Sequence, residues 1–370
     1  YATEWWFDRM LTATRPLQER LCFFWHGHFT SSWWDASGQA RHLMAQNQLY
    51  RVMAAGNYID FVQQMSIQPA MLVYLSNAQN YAGEPNENFA RELMELFTLG
   101  VGNYTEADVQ AAARAWTGHN ADWPEYDYAF YADRHDNDPK TFFGTTKNWD
   151  GPDIVNEILR DNSAKQLVAA KYICRKLWEF FAYQSPDAAL ITSLANVLVA
   201  NNMELKPMLR ALFLRPEFYS ITAMQGSVKT PTDLFVSLAY YTDLNFHQLG
   251  VAWRGQYLGQ QIFQPPNVAG WKLNTYWLNT SALSARAGLA RDLAWAMRQG
   301  DAYEYLHGLG DAQVVDEMLN IFGIDNVTTG TRQALIAWVG AERASVQWDS
   351  WWLPSNLITM TALVPEFHML

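Results

Sequence analysis

Residues 86–119 constrain this chain more than any other stretch, because their apolar residues recur with the period of an α-helix and their charges do not all fall opposite. With Phe89 set at 0° and about 100° added per residue, Leu93, Phe97 and Leu96 fall at about 40°, 80° and 340° and make one buried face. Glu87, Arg91 and Glu95 fall at about 160°, 200° and 240°, an i, i+4, i+8 stripe whose charges alternate in sign and pair. Glu92 falls at about 300°, against the apolar edge. A carboxylate placed there has to be paired, hydrogen-bonded or protonated, because a buried unpaired charge costs several kcal/mol. Glu92 is therefore the foremost candidate for a working residue. The competing reading is a structural ion pair, since such networks perturb carboxylates as active sites do.

The same period runs through most of the chain, so the expected fold class is mainly α: a multi-helix globular body with two excursions. Leu17, Leu21, Phe24, Trp25 and His28 share a face over residues 16–28. Thr105 and Asp108 form a capping-box signature ahead of Val109, Ala112, Ala113 and Trp116. Further helical patterns cover 163–182, 186–201, 228–243, 280–299, 311–322 and 330–346. The first excursion, near 126–144, alternates Tyr126, Tyr128 and Phe130 with Asp127, Ala129 and Tyr131. It then turns through 133–139 into Lys140, Thr141 and Phe142, and reads as one β-hairpin with a charged tip. The second, near 253–279, holds Pro265, Pro266, Trp271 and Trp277 and reads as a rigid irregular loop. The expected organisation is a helical core over 1–280 and a C-terminal helical lobe over 281–370, or one continuous domain.

A chain of 370 residues can bury a large core. Its formal charge of −11, without a basic stripe, argues against nucleic acid as a partner. Seventeen tryptophans exceed what a core needs and point to aromatic surfaces, for stacking on sugars or for protein contacts. No apolar run reaches the roughly 18 residues that span a bilayer. The chain starts at Tyr1 within a helical pattern and so reads as a mature or trimmed product whose leader has been removed. Cys22 and Cys174 both lie in apolar helical contexts, as one bridge or as two thiols.

Three constellations could carry chemistry. In Trp25-His26-Gly27-His28-Phe29, the two imidazoles could bind one metal if Gly27 ends the helix. If the helix runs on, they diverge by about 200° and cannot. At the hairpin tip, His135, Asp136, Asp138 and Lys140 offer acid, base and cation within six residues. Asp136-x-Asp138 lacks the Gly and Glu of a calcium loop, so the EF-hand pattern fails. The third is the Trp271/Trp277 loop, which either stacks on sugar or seals the core. Phosphate loops, nucleophile elbows, His-Glu-x-x-His and Cys-x-x-Cys patterns are absent from the sequence.

Several segments together resemble the bacterial "domain of unknown function 1800" family over roughly residues 15–290. They are Phe24-Trp25-His26-x-His28-Phe29, Pro69-Ala70-Met71-Leu72-x-Tyr74-Leu75, Asn86 through Leu96, Tyr104-Thr105-x-x-Asp108-Val109, Thr117-Gly118, His135-Asp136-x-x-x-Lys140 and Pro265-Pro266-Asn267-Val268-x-Gly270-Trp271. The chain departs from the family pattern in that the further helical stretch usual ahead of the Trp-His segment is absent or cut away. It also has His119 where a Trp commonly follows the Thr-Gly, so the resemblance gives His119 no catalytic role, and its His-Asp to Lys spacing is one residue longer than usual. The resemblance implies an exported, mostly helical protein and no particular activity.

The expected site gathers the Trp-His segment, the glutamate helix and the hairpin tip around one pocket, with the Pro-Pro loop as its wall. The leading expectation is an extracytoplasmic hydrolase, secreted, periplasmic or on the cell surface, acting on a polysaccharide or oligosaccharide. Glu92 would be the general acid, with Asp136 or Glu87 as the second carboxylate. His26, His28, Asn88, Arg91, His135 and Lys140 would bind hydroxyls or tune pKa, and Trp271 and Trp277 would stack on sugar rings. This reading needs no cofactor. Two alternatives stand beside it: a metal-dependent hydrolase or oxygenase using His26, His28 and a carboxylate, and a non-catalytic surface binding or scaffold protein.

Overall fold

The computed structural model describes residues 1–34, 40–122, 127–297, 305–306, 308–345 and 352–370. It is mainly α, with two small antiparallel two-stranded sheets among the described residues. The chain folds into two compact units, each assembled from separate stretches rather than divided near residue 280.

The larger unit takes Arg15–Ser220 and Phe263–Trp271. Its helices are α2 (Pro16–His28), α3 (Ala40–Met53), α4 (Tyr58–Ser66), α5 (Pro69–Tyr74), α6 (Asn88–Glu92), α7 (Glu106–Ala115), α8 (Gly151–Asn156), α9 (Ser163–Phe181), α10 (Ala188–Ala200) and α11 (Leu205–Phe213). The core centres on Trp25, fully buried, whose indole packs on Phe29, Tyr58 and Phe61 and donates to Ala54 O at 2.9 Å. That bond matters because a buried indole N–H without an acceptor costs as much as a lost hydrogen bond. The starts of the helices follow from local chemistry. Asn57 caps α4, accepting from Ile59 N and Asp60 N, and Thr105 and Asp108 close the expected capping box on α7.

The smaller unit takes Tyr1–Thr14, Ile221–Ile262 and Lys272–Leu370. It holds α1 (Ala2–Thr12), α12 (Pro231–Thr242), α13 (Val251–Leu258), α14 (Thr280–Met297), α15 (Asp311–Ile321), α16 (Thr329–Ser345) and α17 (Trp352–Thr361). Thr230 and Asp233 box the start of α12 with Pro231 at its first position. No described helix is long and apolar enough to cross a membrane.

Three local expectations change. The 126–144 stretch is not one hairpin; of the expected alternation, Tyr126 lies outside the described residues. Strand β2 (Asp127–Phe130) pairs upstream with β1 (His119–Asp122), while β3 (Lys140–Phe142) pairs downstream with β4 (Thr145–Lys147). The reason lies in Phe143 and Gly144, both at positive φ (46° and 82°), which make the two-residue turn that suits the twist of a hairpin. The 253–279 stretch is not one loop. Residues 251–258 are α13, closed by Gly259 at φ 84°, and Phe263–Trp271 belongs to the other unit. Finally, α6 does not keep its period. Beyond Glu92 it widens over Leu93–Thr98, where Leu99 N–H reaches back five residues to Met94 O at 2.8 Å and the Thr98 hydroxyl to Leu93 O at 2.6 Å. Wide turns of this kind are rare and concentrate at functional sites.

Candidate functional site

The widened turn decides the surroundings of Glu92. Arg91 does not bridge Glu87 and Glu95. It binds Glu87 at 3.0 Å and, in a fork, both oxygens of Glu106 at 2.7 and 2.8 Å. The i→i+5 spacing turns Glu95 out of register with Arg91, and Glu95 instead accepts a hydrogen bond from the Tyr104 hydroxyl. Glu92 is half-buried and has neither an ion pair nor a hydrogen bond among the described residues. Its oxygens are not sealed from solvent. Burial and the neighbouring Glu95 raise its pKa above the usual glutamate value, against a smaller opposing pull from Arg91.

Across from this turn stands α9. Tyr172 donates to Leu96 O at 2.9 Å, and burial together with the charges of Glu95 and Glu92 raises its pKa to about 12. One turn on, the Lys176 Nζ lies 5.4 Å from the Tyr172 ring, with burial lowering its pKa to about 8. Gly100 (φ 80°) allows this approach, since a Cβ there would meet the Tyr172 ring at 3.0 Å. Glu92, Glu95, Tyr104 and Tyr172 therefore interact around the widened turn, and Lys176 adjoins this group through the Tyr172 ring. Of these the sequence flagged only Glu92. Glu95 falls in the alternating charged stripe of the wheel, because a fixed 100° step cannot represent a wide turn. Tyr104, Tyr172 and Lys176 carried no local signal.

The other predicted residues go elsewhere. Helix α2 continues through Gly27 to His28, so the two imidazoles diverge. His26 Nε2 accepts from Phe263 N–H at 3.0 Å, and burial lowers its pKa to about 3. His28 Nε2 sits 3.1 Å from Phe97 O, and burial also holds its pKa well below the usual value. Both rings are 2% exposed, which places them in the core as neutral hydrogen-bonding groups rather than on a metal. No group of three or more His, Cys, Asp or Glu among the described residues is arranged to hold a metal ion. Cys22 and Cys174 are two separate buried thiols.

Asp136 is not beside Glu92. Arg114 near the end of α7 grips it at 2.6 and 3.2 Å, whereas Arg91 reaches Glu106 at the start of α7. The eight residue steps from Glu106 to Arg114 rise about 12 Å along the helix. Burial works to raise the Asp136 pKa, but the Arg114 bonds and the Asp138 N–H outweigh it and hold the carboxyl below its usual value. Lys140 is fully buried, and its ammonium donates to Asp136 O, to Asn148 Oδ1 at 3.1 Å and to Trp149 O at 3.1 Å. An ammonium has three donors, so none remains for a substrate. His135 Nδ1 lies 2.8 Å from Thr117 O. Glu87 is held by Arg91, and exposed Asn88 donates to Leu75 O at 3.2 Å. Trp271 packs against the His26 ring at 5.3 Å. Trp277 is 1% exposed and cannot stack on a sugar.

His119 occupies a place that the sequence did not anticipate. Its Nε2 meets Asp150 Oδ1 at 2.9 Å and its Nδ1 meets the Tyr128 hydroxyl at 3.1 Å, an Asp–His–Tyr chain that ties the first hairpin to the start of α8. Asp150 also caps α8 through Gly151 N.

The chain belongs to the family described as "Protein of unknown function (DUF1800)", whose model matches residues 1–369, well beyond the 15–290 over which the motifs are visible. No curated protein and no solved structure matches the chain.

Proposed function

We propose that this member of the family is an extracytoplasmic hydrolase that cleaves a carbohydrate polymer by carboxylate acid/base chemistry. Glu92 is the general acid, and Glu95 replaces Asp136 and Glu87 as the second carboxylate. The observation that carries this reading is the Glu92 carboxyl: half-buried, reached by solvent, without an ion pair, and raised in pKa by burial and by Glu95. A raised carboxyl keeps its proton closer to neutral pH, as a general acid requires, while a charged neighbour serves as base or nucleophile. Tyr104 holds Glu95 in place, and Tyr172 lies close enough to feel the charge of both carboxylates.

Low charge and surplus tryptophan support a glycan-facing protein outside the cytoplasm. The test is reducing-sugar release from a panel of soluble and insoluble polysaccharides. Wild-type protein is expected to release ends from at least one, and Glu92→Gln to lose on the order of 100-fold or more of that rate while its melting temperature holds or rises. No release across the panel, or an active Glu92→Gln, overturns the reading. A purely structural Glu92 would show the opposite pattern: lost stability and unchanged behaviour toward glycans.

A further inference from the structure

We propose that the smaller unit carries a separate non-catalytic binding groove for a neutral oligosaccharide, between α13 and α14, with Trp253 as its stacking platform. The groove is a recess of about 680 Å³ lined wholly by residues of that unit. This volume falls in the range of small-ligand sites.

Its walls differ from those of a core cavity. Trp253 and Tyr257, one turn apart on α13, are 54% and 71% exposed, a costly way to display two large rings unless something covers them. Their centroids lie 5.9 Å apart and the rings are nearly perpendicular, so they offer two differently oriented apolar faces. Trp253 is held in position. The Arg254 guanidinium lies 4.5 Å from its centroid, and Gly250 (φ 62°) leaves room for the indole, since a Cβ there would meet its Nε1 at 2.6 Å.

The opposite wall supplies polar groups at low height. Ser281 and Ser284 bring hydroxyls, and Gly288 leaves open space where a side chain would stand. At the edge, Arg254 Nη1 pairs with Asp292 Oδ2 at 2.8 Å, while the buried Arg254 Nε has no partner among the described residues. An orphaned buried N–H is a donor waiting for an acceptor.

These features select a ligand class. Arg254 and Asp292 cancel, so the lining has no charge to attract an anion or a cation, and a protein of charge −11 repels polyanions. An aromatic face beside hydroxyls and a guanidinium–carboxylate pair suits a ring with apolar C–H faces and equatorial hydroxyls, which is a neutral pyranose. An apolar peptide would leave the Ser281 and Ser284 hydroxyls desolvated without partners. The inference does not depend on Glu92, which lies in the other unit.

The experiment is isothermal titration of the whole chain with neutral tetrasaccharides (cello-, malto-, xylo-, laminari-, manno- and chito-series) and with an acidic galacturonate tetramer. At least one neutral series is expected to bind. Trp253→Ala and Gly288→Trp should each weaken it about tenfold or more, equivalent to about 1.4 kcal/mol. Glu92→Gln should bind through the groove as wild type does. Trp253 is exposed and Gly288 faces open space, so both variants are expected to melt like wild type. Trp253→Ala should also keep hydrolysis of a short soluble substrate, which separates failure of this inference from failure of the Glu92 reading. No neutral binding up to 10 mM (about −2.7 kcal/mol), preference for the acidic tetramer, or binding unaltered in both groove variants overturns the proposal.

Discussion

Lys140 offers the sharpest test of how the hairpin tip is built. Replacing it with Met keeps the length of the apolar stem and removes only the ammonium. All three of its donors are engaged, with Asp136 O, Asn148 Oδ1 and Trp149 O. Asn148 is exposed and can turn to water, but the carbonyls of Asp136 and Trp149 lose their donor in protein surroundings. An unsatisfied buried acceptor costs about 1–3 kcal/mol, so two cost about 2–6. Against this stands the relief of no longer burying a cation, which already lowers the Lys140 pKa through desolvation. Asp136 keeps its two bonds to Arg114 and so loses little when a cation 3.9 Å away disappears. The net expectation is a loss of about 3 kcal/mol. It should appear as a lower urea midpoint at unchanged slope, followed by circular dichroism and by tryptophan fluorescence, with Trp149 beside the site. A midpoint within about 0.5 kcal/mol of wild type would refute the assignment of the ammonium to structure. So would lost glycan binding at full stability, because that is the signature of a ligand-binding lysine.

Three further outcomes follow from the same geometry. The Glu92 pKa is raised in the fold, so between its unfolded and folded values the native state holds more protons and stability falls as pH rises. Glu92→Gln abolishes that slope, and chemical denaturation from pH 4.5 to 8 should show the variant gaining on wild type with pH; parallel curves would refute it. His26 is depressed to about 3 and His28 well below 6.5, so stability is present above pH 6.5 and is lost as pH falls below it. Each can contribute up to about 1.4 kcal/mol per pH unit, and His26→Gln should flatten the acid limb seen in urea midpoints. An unchanged acid limb would show that His26 does not hold its proton off. Gly118 sits at φ 78° with a would-be Cβ 2.6 Å from Tyr131 O, so Gly118→Ala combines left-handed strain with a backbone clash. It should cost about 2–4 kcal/mol in thermal melts, and a loss below about 1 kcal/mol would mean that the strand shifts freely.

The predicted residues separate according to whether their role depends on local or distant partners. The capping box at Thr105 and Asp108 was legible because both partners lie within one turn. His26 and His28 were legible as a choice: a helix that runs through Gly27 separates them, and it does. Glu92 was legible because a carboxylate on an apolar edge is anomalous whatever surrounds it. The partner of Glu92 was not legible. The wheel assumed a constant step, and the widened turn from Leu93 sends Glu95 to Tyr104 instead of Arg91. Asp136 and Lys140 looked like a reactive tip because their neighbours in sequence are turn residues. Arg114, 22 residues away, and Trp149 fix them instead.

The sequence by itself determined the helical class, the starts of several helices, the family and the anomaly at Glu92, all of which arise from periodicity and contacts a few residues apart. Only the tertiary structure decided which tryptophans are displayed and which are sealed, and which of two hairpin pairings forms. It alone decided that Glu92 meets Glu95 and Tyr172 rather than Asp136. The physical reason is that burial and charge pairing depend on distances across helices, and an apolar or charged residue reads the same in sequence whether its partner is a core, a solvent or a ligand.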